Sequence, residues 1–225
     1  MIHVISIGGS LIVPDKLNTR FIKEFKRVIL KAAAGGDKFL IIPGGGQTCR
    51  SYQDAARSIS NPTNEDLDWI GIKTNHLHSY FLRAVFGKDA SPEVIGLDGR
   101  VGQLKKAISI CVGGLEPGGT SDSTAVKFAE KFRARTIVNL TNVAGVYDKD
   151  PRKFRNARLI REMSWADLRK QFGSVKTPGR HMPFDSLTAS TAARLRLKVV
   201  TMDGRNLKNF QNFLAGKSFK GTVIQ

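Results

Sequence analysis

The chain has 225 residues, 41% of them hydrophobic, and 36 Lys and Arg against 19 Asp and Glu give a net charge of +17. That length suits a single α/β domain with a sizeable core. Two isolated cysteines exclude a disulfide framework or zinc site, and no apolar run approaches the ~20 residues of a membrane span.

Met1-Ile2-His3-Val4 lacks the basic start of a signal peptide, so the expected location is cytoplasmic. The basic residues look scattered, in Lys23, Lys26, Arg27 and Lys31, in Arg152 to Arg161, and in Arg194, Arg196 and Lys198. No Arg/aromatic signature of an RNA-recognition motif accompanies them. The charge therefore reads as a generally basic surface, and nucleic acid is not expected as a partner.

Residues 2–7 form an apolar strand that ends in Gly8-Gly9-Ser10. Phe21, Ile22, Phe25, Val28, Ile29 and Ala32 give residues 18–34 a helical period that stops at Gly35-Gly36. A strand over 38–42 runs into Gly44-Gly45-Gly46, and a short helix is expected from about Thr48 to Ser58. A longer helix over 64–86 is expected to turn Leu67, Ile70, Leu77, Phe81, Leu82 and Val85 inward. Trp69 and Trp165 read as core residues, as does His3. His76 and His78, two apart on one helix, face different ways and make poor metal partners.

A minor strand at 93–96 and a central strand at 108–112 precede a third glycine turn, Gly113 to Ser121. A helix over 122–132 follows, capped by Thr120 or Ser121. A strand over 136–140 leads into a turn-rich, basic stretch with two short β-like pieces. Ser164 caps a helix with Asp167 in its first turn. A loop over 173–183, a helix over 184–195, a strand over 197–202, a helix over 206–215 and a strand over 221–224 complete the chain. This alternation predicts a three-layer αβα sandwich with a mostly parallel sheet.

Each glycine turn joins a strand to a helix, where backbone N–H groups and the helix N-terminus receive phosphate oxygens. The turns match neither the P-loop nor the dinucleotide-binding fingerprint. The order of motifs resembles the amino acid kinase superfamily, and within it the archaeal-type uridylate kinases. The matching pieces are Ser6 to Leu11, Gly44 to Arg50, Asp68-Trp69-Ile70-Gly71, Pro117 to Asp122, Thr141 to Tyr147 with Asp150-Pro151, Phe184-Asp185 and Gly221 to Ile224. The resemblance implies ATP-dependent phosphorylation of UMP with magnesium in a homo-oligomer, usually a hexamer. It also implies a single domain over 1–225, with acceptor binding in about 1–133 and ATP binding in about 134–225.

By the same resemblance Gly8, Gly9 and Ser10 line the transferring phosphate, and Asp122 organises magnesium or cationic groups there. Gly44, Gly45, Gly46 and Arg50 hold the acceptor phosphate, Asp68 the ribose, and Thr120 and Ser121 the acceptor nucleotide. Asn142, Gly145, Val146, Tyr147 and Asp150 form the ATP pocket, and His181 is a further candidate for contact with ATP. Ser6 stands where many relatives carry Lys, leaving Lys105, Lys106, Lys149 or Arg152 to supply the neutralising cation. Gly119, Ala144 and Ser186 also depart from the pattern. Competing readings are a related phosphate or carboxylate kinase, an inactive nucleotide-binding relative and, on charge alone, an RNA binder.

Overall fold

The computed structural model describes residues 1–97, 104–114, 116–151, 153–172 and 186–225. β1 (Ile2–Ile7) leads through one helical turn, α1 (Gly9–Ile12), to α2 (Thr19–Ala34) and β2 (Lys38–Pro43). Then come α3 (Gly46–Ile59), α4 (Asn64–Phe86), β3 (Ile108–Ile110), α5 (Ser121–Phe132) and β4 (Thr136–Thr141). The chain continues with β5 (Glu162–Met163), α6 (Trp165–Phe172), α7 (Ser186–Arg194), β6 (Lys198–Asp203), α8 (Leu207–Leu214) and β7 (Thr222–Ile224). The sheet order is β3-β2-β1-β4-β6-β7-β5, and every pairing is parallel except β6 with β7. The expected three-layer sandwich is the observed fold.

Apolar residues on both faces of the central strands explain the parallel sheet, because each face needs a cover of helices. On one face Phe25 of α2 stacks on Phe210 of α8, ring centroids 6.2 Å apart, and meets Phe86 of α4 edge-on at 6.5 Å. On the other, Phe128 and Ala129 of α5 pack with Trp165, Leu168 and Ala192. Asn18 caps α2 by accepting from Phe21 N at 3.1 Å, and a Thr63–Asp66 capping box starts α4.

The structure corrects several expectations. The strand at 93–96 is a single bridge, Ile95 to Cys111, and the β-like pieces after β4 reduce to a bridge between Tyr147 and Leu159. Leu77 is 60% exposed and Trp69 41% exposed, so neither is core. Leu67 and Leu82 are buried as expected, Phe81 and Val85 pack partly buried against the core, and the inward face of α4 also carries Ile72, Thr74, His78, Ser79 and Phe86. The 173–183 loop, Arg152, His181 and Phe184-Asp185 lie outside the described residues.

His3 is buried beside Phe39, its Nε2 3.5 Å from Asp37 Oδ1. Burial lowers its pKa from the usual 6.5 more than Asp37 raises it. The unfolded chain then binds more protons, so His3 contributes stability above the ordinary histidine pKa that is lost as pH falls through the lowered folded value. The melting temperature is expected to drop between about pH 7.5 and about pH 5.5, and His3→Phe to flatten that drop. An unchanged slope in the variant counts against this account.

Beyond β1 the chain steps outward through β2 to β3, then returns to place β4 on the other side of β1. This reversal makes the β1–β4 boundary the topological switch point of the sheet, and the crevice outside the C-terminal ends of such strands is where ligands of open α/β sheets bind.

Candidate active site

The first two glycine turns meet backbone to backbone at that crevice. Gly8 N donates to the Leu140 carbonyl at 2.8 Å, and Gly44 N to the Ile7 carbonyl at 2.9 Å. A β-carbon on Gly9 would collide with Gly46 N and lie 2.6 Å from Gly46 Cα. Gly46 itself has φ +59, and a β-carbon there would strike the Gly9 carbonyl. Only glycine at both positions lets the turns touch. Val13, just past α1 and Ser10, accepts from Gln47 N at 2.9 Å and completes the interlock.

α4 clamps the second and third turns. His78, 3% exposed, donates from Nδ1 to the Gly44 carbonyl at 2.8 Å, which fixes its tautomer. Ser79 Oγ donates to the Cys111 carbonyl at 2.9 Å, and His76 Nε2 lies 3.3 Å from the Gly114 carbonyl. Asp68 accepts from Gly118 N at 2.7 Å, which ties the third turn to the start of α4. His78→Ala leaves the Gly44 carbonyl unsatisfied, and about 1–3 kcal/mol of stability is expected to be lost. A melting temperature equal to the parent's would dismiss the clamp.

The third turn ends at the N-terminus of α5. Thr120 is the cap, its Oγ1 accepting from Ser123 N at 3.0 Å, and Ser121 and Asp122 form the first turn. Asp122 accepts from Asn139 Nδ2 at 3.2 Å, and Asn139 sits opposite Ser6 in the β1–β4 register. Ser6 is 3% exposed, so the position of the missing Lys is a buried neutral hydroxyl. Arg50, exposed on α3, donates from Nε to Gln47 Oε1 at 3.0 Å.

After β4, Asn142 is exposed, and Gly145 lies so close to β7 that a β-carbon would stand 2.5 Å from Thr222 Oγ1. Val146 is buried, its N–H donating to Thr222 Oγ1 at 2.8 Å and its carbonyl accepting from Ile160 N at 2.9 Å. Tyr147 is half-buried, and the Asp150 carbonyl turns the chain by accepting from Lys153 N and Phe154 N. Lys149 lies over the Phe154 ring, 5.5 Å from its centroid. Lys105 and Lys106 are ruled out as the neutralising cation. They precede β3 at its N-terminal end, and Lys106 Nζ donates to the Lys88 carbonyl there.

The structure therefore gathers Gly8, Gly9, Ser10, Gly44, Gly45, Gly46, Asp68, Thr120, Ser121 and Asp122 at one end of the sheet. Sequence reasoning missed two contributors. Asn139 interrupts an apolar strand, a polar intrusion that signals a partner. His78 offered no such signal, since its acceptor lies 34 residues away. Burial pushes the Cys49 thiol above its usual pKa, which disfavours the thiolate form. No group of three or more His, Cys, Asp or Glu able to hold a metal occurs among the described residues.

Interlocked glycine turns at the switch point of a parallel sheet define an α/β protein built to hold phosphates without a P-loop. The chain belongs to the amino acid kinase family, whose model matches residues 1–200. It is 32% identical over 224 residues to a uridylate kinase of Thermoplasma volcanium, covering 99% of this chain and 96% of the relative. A uridylate kinase of Thermococcus sibiricus is 34% identical, covering 99% of this chain and 98% of the relative. The crystal structure of uridylate kinase from Archaeoglobus fulgidus superposes with a TM-score of 0.80 at 27% identity, covering both chains fully. UMP kinase from Ureaplasma parvum shares the fold, with a TM-score of 0.83 at 18% identity over 100% of this chain and 98% of that one.

Proposed function

We propose that this chain transfers the terminal phosphoryl group of ATP to UMP, giving UDP and ADP. The observation that carries the reading is the backbone contact between the first two glycine turns at the C-terminal ends of β1 and β2, with the third turn tied to them through α4. Full-length similarity to uridylate kinases supports the choice of acceptor. An acceptor phosphate is already an oxyanion, so the reaction needs positioning and charge neutralisation rather than a general base.

Gly44, Gly45, Gly46 and Arg50 hold the acceptor phosphate, Asp68 the ribose, and Thr120 and Ser121 the rest of the nucleotide. Gly8, Gly9 and Ser10 take the transferring group. Asn142, Gly145, Val146, Tyr147 and Asp150 receive ATP, and Lys149 lies within that segment. Asp122 is a single carboxylate beside phosphate-binding turns, a donor set that suits Mg2+, which keeps most of its coordination for water and phosphate oxygens. When bound, Mg2+ neutralises charge on the donor phosphates.

The protein acts in the cytoplasm as a homo-oligomer, hexameric as the resemblance implies. No helix among the described residues is long and apolar enough to cross a membrane. Trp69, Leu77 and Tyr80 line an outward stripe of α4, and exposed Tyr52 lies on neighbouring α3. These residues supply a self-association face. A monomer mass at micromolar concentration would overturn the assembly. A coupled ADP-release assay across UMP, CMP, isopentenyl phosphate and acetylglutamate tests the acceptor; turnover confined to UMP supports the reading, and preference for any other sinks it.

A further inference from the structure

Two arginines hold a backbone conformation that ordinarily falls to glycine. Arg133 has φ 54 and Arg196 has φ 52, and they are the two non-glycine residues with positive φ among those described. Each closes a helix and leads into a strand. Arg133 N donates to the Ala129 and Glu130 carbonyls at the end of α5, and Arg196 N to the Ala193 carbonyl at the end of α7. A helix C-terminus of this shape favours glycine, because a β-carbon in the left-handed region is strained. Retained strain at a side-chain-bearing residue directs attention to what the side chain does.

Both arginines sit at the same end of the sheet. β4 and β6 are neighbours, Thr136 is opposite Lys198, and Lys198 N donates to the Arg135 carbonyl at 3.0 Å. Arg194 bonds Glu130 at 3.0 Å, joining the last turn of α7 to that of α5. Arg133, Arg135, Arg194, Arg196 and Lys198 thus crowd one surface, and the four arginines are exposed. Basic residues scattered in the sequence are brought together here by the sheet register. Helix dipoles explain one cation in each last turn, and Lys131 and Arg194 already occupy those places. The other four cations exceed that need, and Glu130, the carboxylate these contacts bring in, is engaged by Arg194. The surface lies at the strand N-termini, opposite the glycine turns, so it is separate from the nucleotide crevice.

We propose that this edge docks the phosphate backbone of duplex nucleic acid without sequence preference. Guanidinium forks match phosphate oxygens, and several of them on one surface suit a ligand that repeats its charge. No exposed aromatic belongs to segments 133–135 or 194–198 to stack on bases, which leaves the backbone as the part recognised. No exposed large hydrophobic residue in those segments offers an anchor into a bilayer. The net charge of +17 adds long-range attraction to the same ligand.

The test measures fluorescence anisotropy of labelled DNA and RNA duplexes of about 20 base pairs with the full chain. Four phosphate contacts, from Arg133, Arg135, Arg196 and Lys198, predict that affinity falls roughly 150-fold between about 50 mM and about 200 mM salt. Arg133→Gly combined with Arg196→Gly removes two charges while relieving the left-handed backbone, so the fold survives with an equal or higher melting temperature. That variant is expected to lose about tenfold in duplex affinity and two units of salt slope, with unchanged ADP release. Parent and variant binding duplex alike, binding insensitive to salt, binding displaced by ATP, or capture of phosphatidylserine vesicles in place of duplex would each overturn the proposal.

Discussion

Gly9→Ala is expected to lower phosphoryl transfer at least ~100-fold, because a misplacement of about 1 Å at a positioned reacting group has an effect of that size. The argument is steric. An added β-carbon would overlap Gly46 N and come 2.6 Å from Gly46 Cα and 2.8 Å from the Gly44 carbonyl carbon. These are backbone atoms that no rotamer change can move aside. Gly44 is pinned from below by Ile7 O and from the side by His78, and Gln47 is pinned by Val13 O. The clash must therefore open the two turns rather than slide one of them. Stability should fall by about 1–3 kcal/mol, as for an overpacked core. Gly71→Ala is the control. Its β-carbon would meet Cys49 Sγ at 3.5 Å and Gln53 Nε2 at 3.8 Å, ordinary contacts, inside helix α4. It should stabilise by roughly 0.5–1 kcal/mol through helix propensity. A Gly9→Ala enzyme with parental turnover would show that the contact between the turns is incidental.

How far the sequence foretold this site depends on the range of the interaction that makes each part. Strands and helices with a one-sided apolar rhythm were legible, as α2 demonstrates with Phe21, Ile22, Phe25, Val28 and Ile29 all buried. α3 buries none of its residues, so its start at Gly46 carried no apolar cue. α4 misled in a different way, because it has two apolar faces. Leu77 and Trp69 fit a helical stripe, yet His78 and Ser79 turn inward instead because the Gly44 carbonyl of the second turn and the Cys111 carbonyl just past β3 need donors. The glycine turns themselves were legible, since glycine is required locally. What ties them together is not local: Asp68 reaches Gly118 across 50 residues. That bond also gives Asp68 a structural task beside the ribose contact drawn from the resemblance. Arg133 and Arg196 are the extreme case, since nothing in their neighbours marks a left-handed backbone.

Arg50→Ala is expected to raise the KM for UMP and cut kcat/KM by roughly 10–100-fold, the loss of hydrogen bonds to a charged group worth about 1.5–3 kcal/mol. Arg50 stands on α3 just past Gly46, where the second turn delivers the helix N-terminus to the crevice. Its Nε is held by Gln47 Oε1 at 3.0 Å, which orients the guanidinium and leaves the terminal nitrogens to face a phosphate. Because the side chain is exposed, its removal should not cost fold stability, and the melting temperature should stay within error of the parent. The ATP KM should also stay fixed, since the donor is assigned to residues beyond β4. Arg50→Lys separates charge from geometry: a point charge restores attraction but not the planar fork, so its activity should lie between Ala and Arg. A lysine variant equal to the parent would reduce Arg50 to a steering charge, and an alanine variant with parental UMP KM would remove it from the acceptor site. The second result would move the acceptor phosphate toward the α5 N-terminus, where Ser121 and Asp122 occupy the first turn.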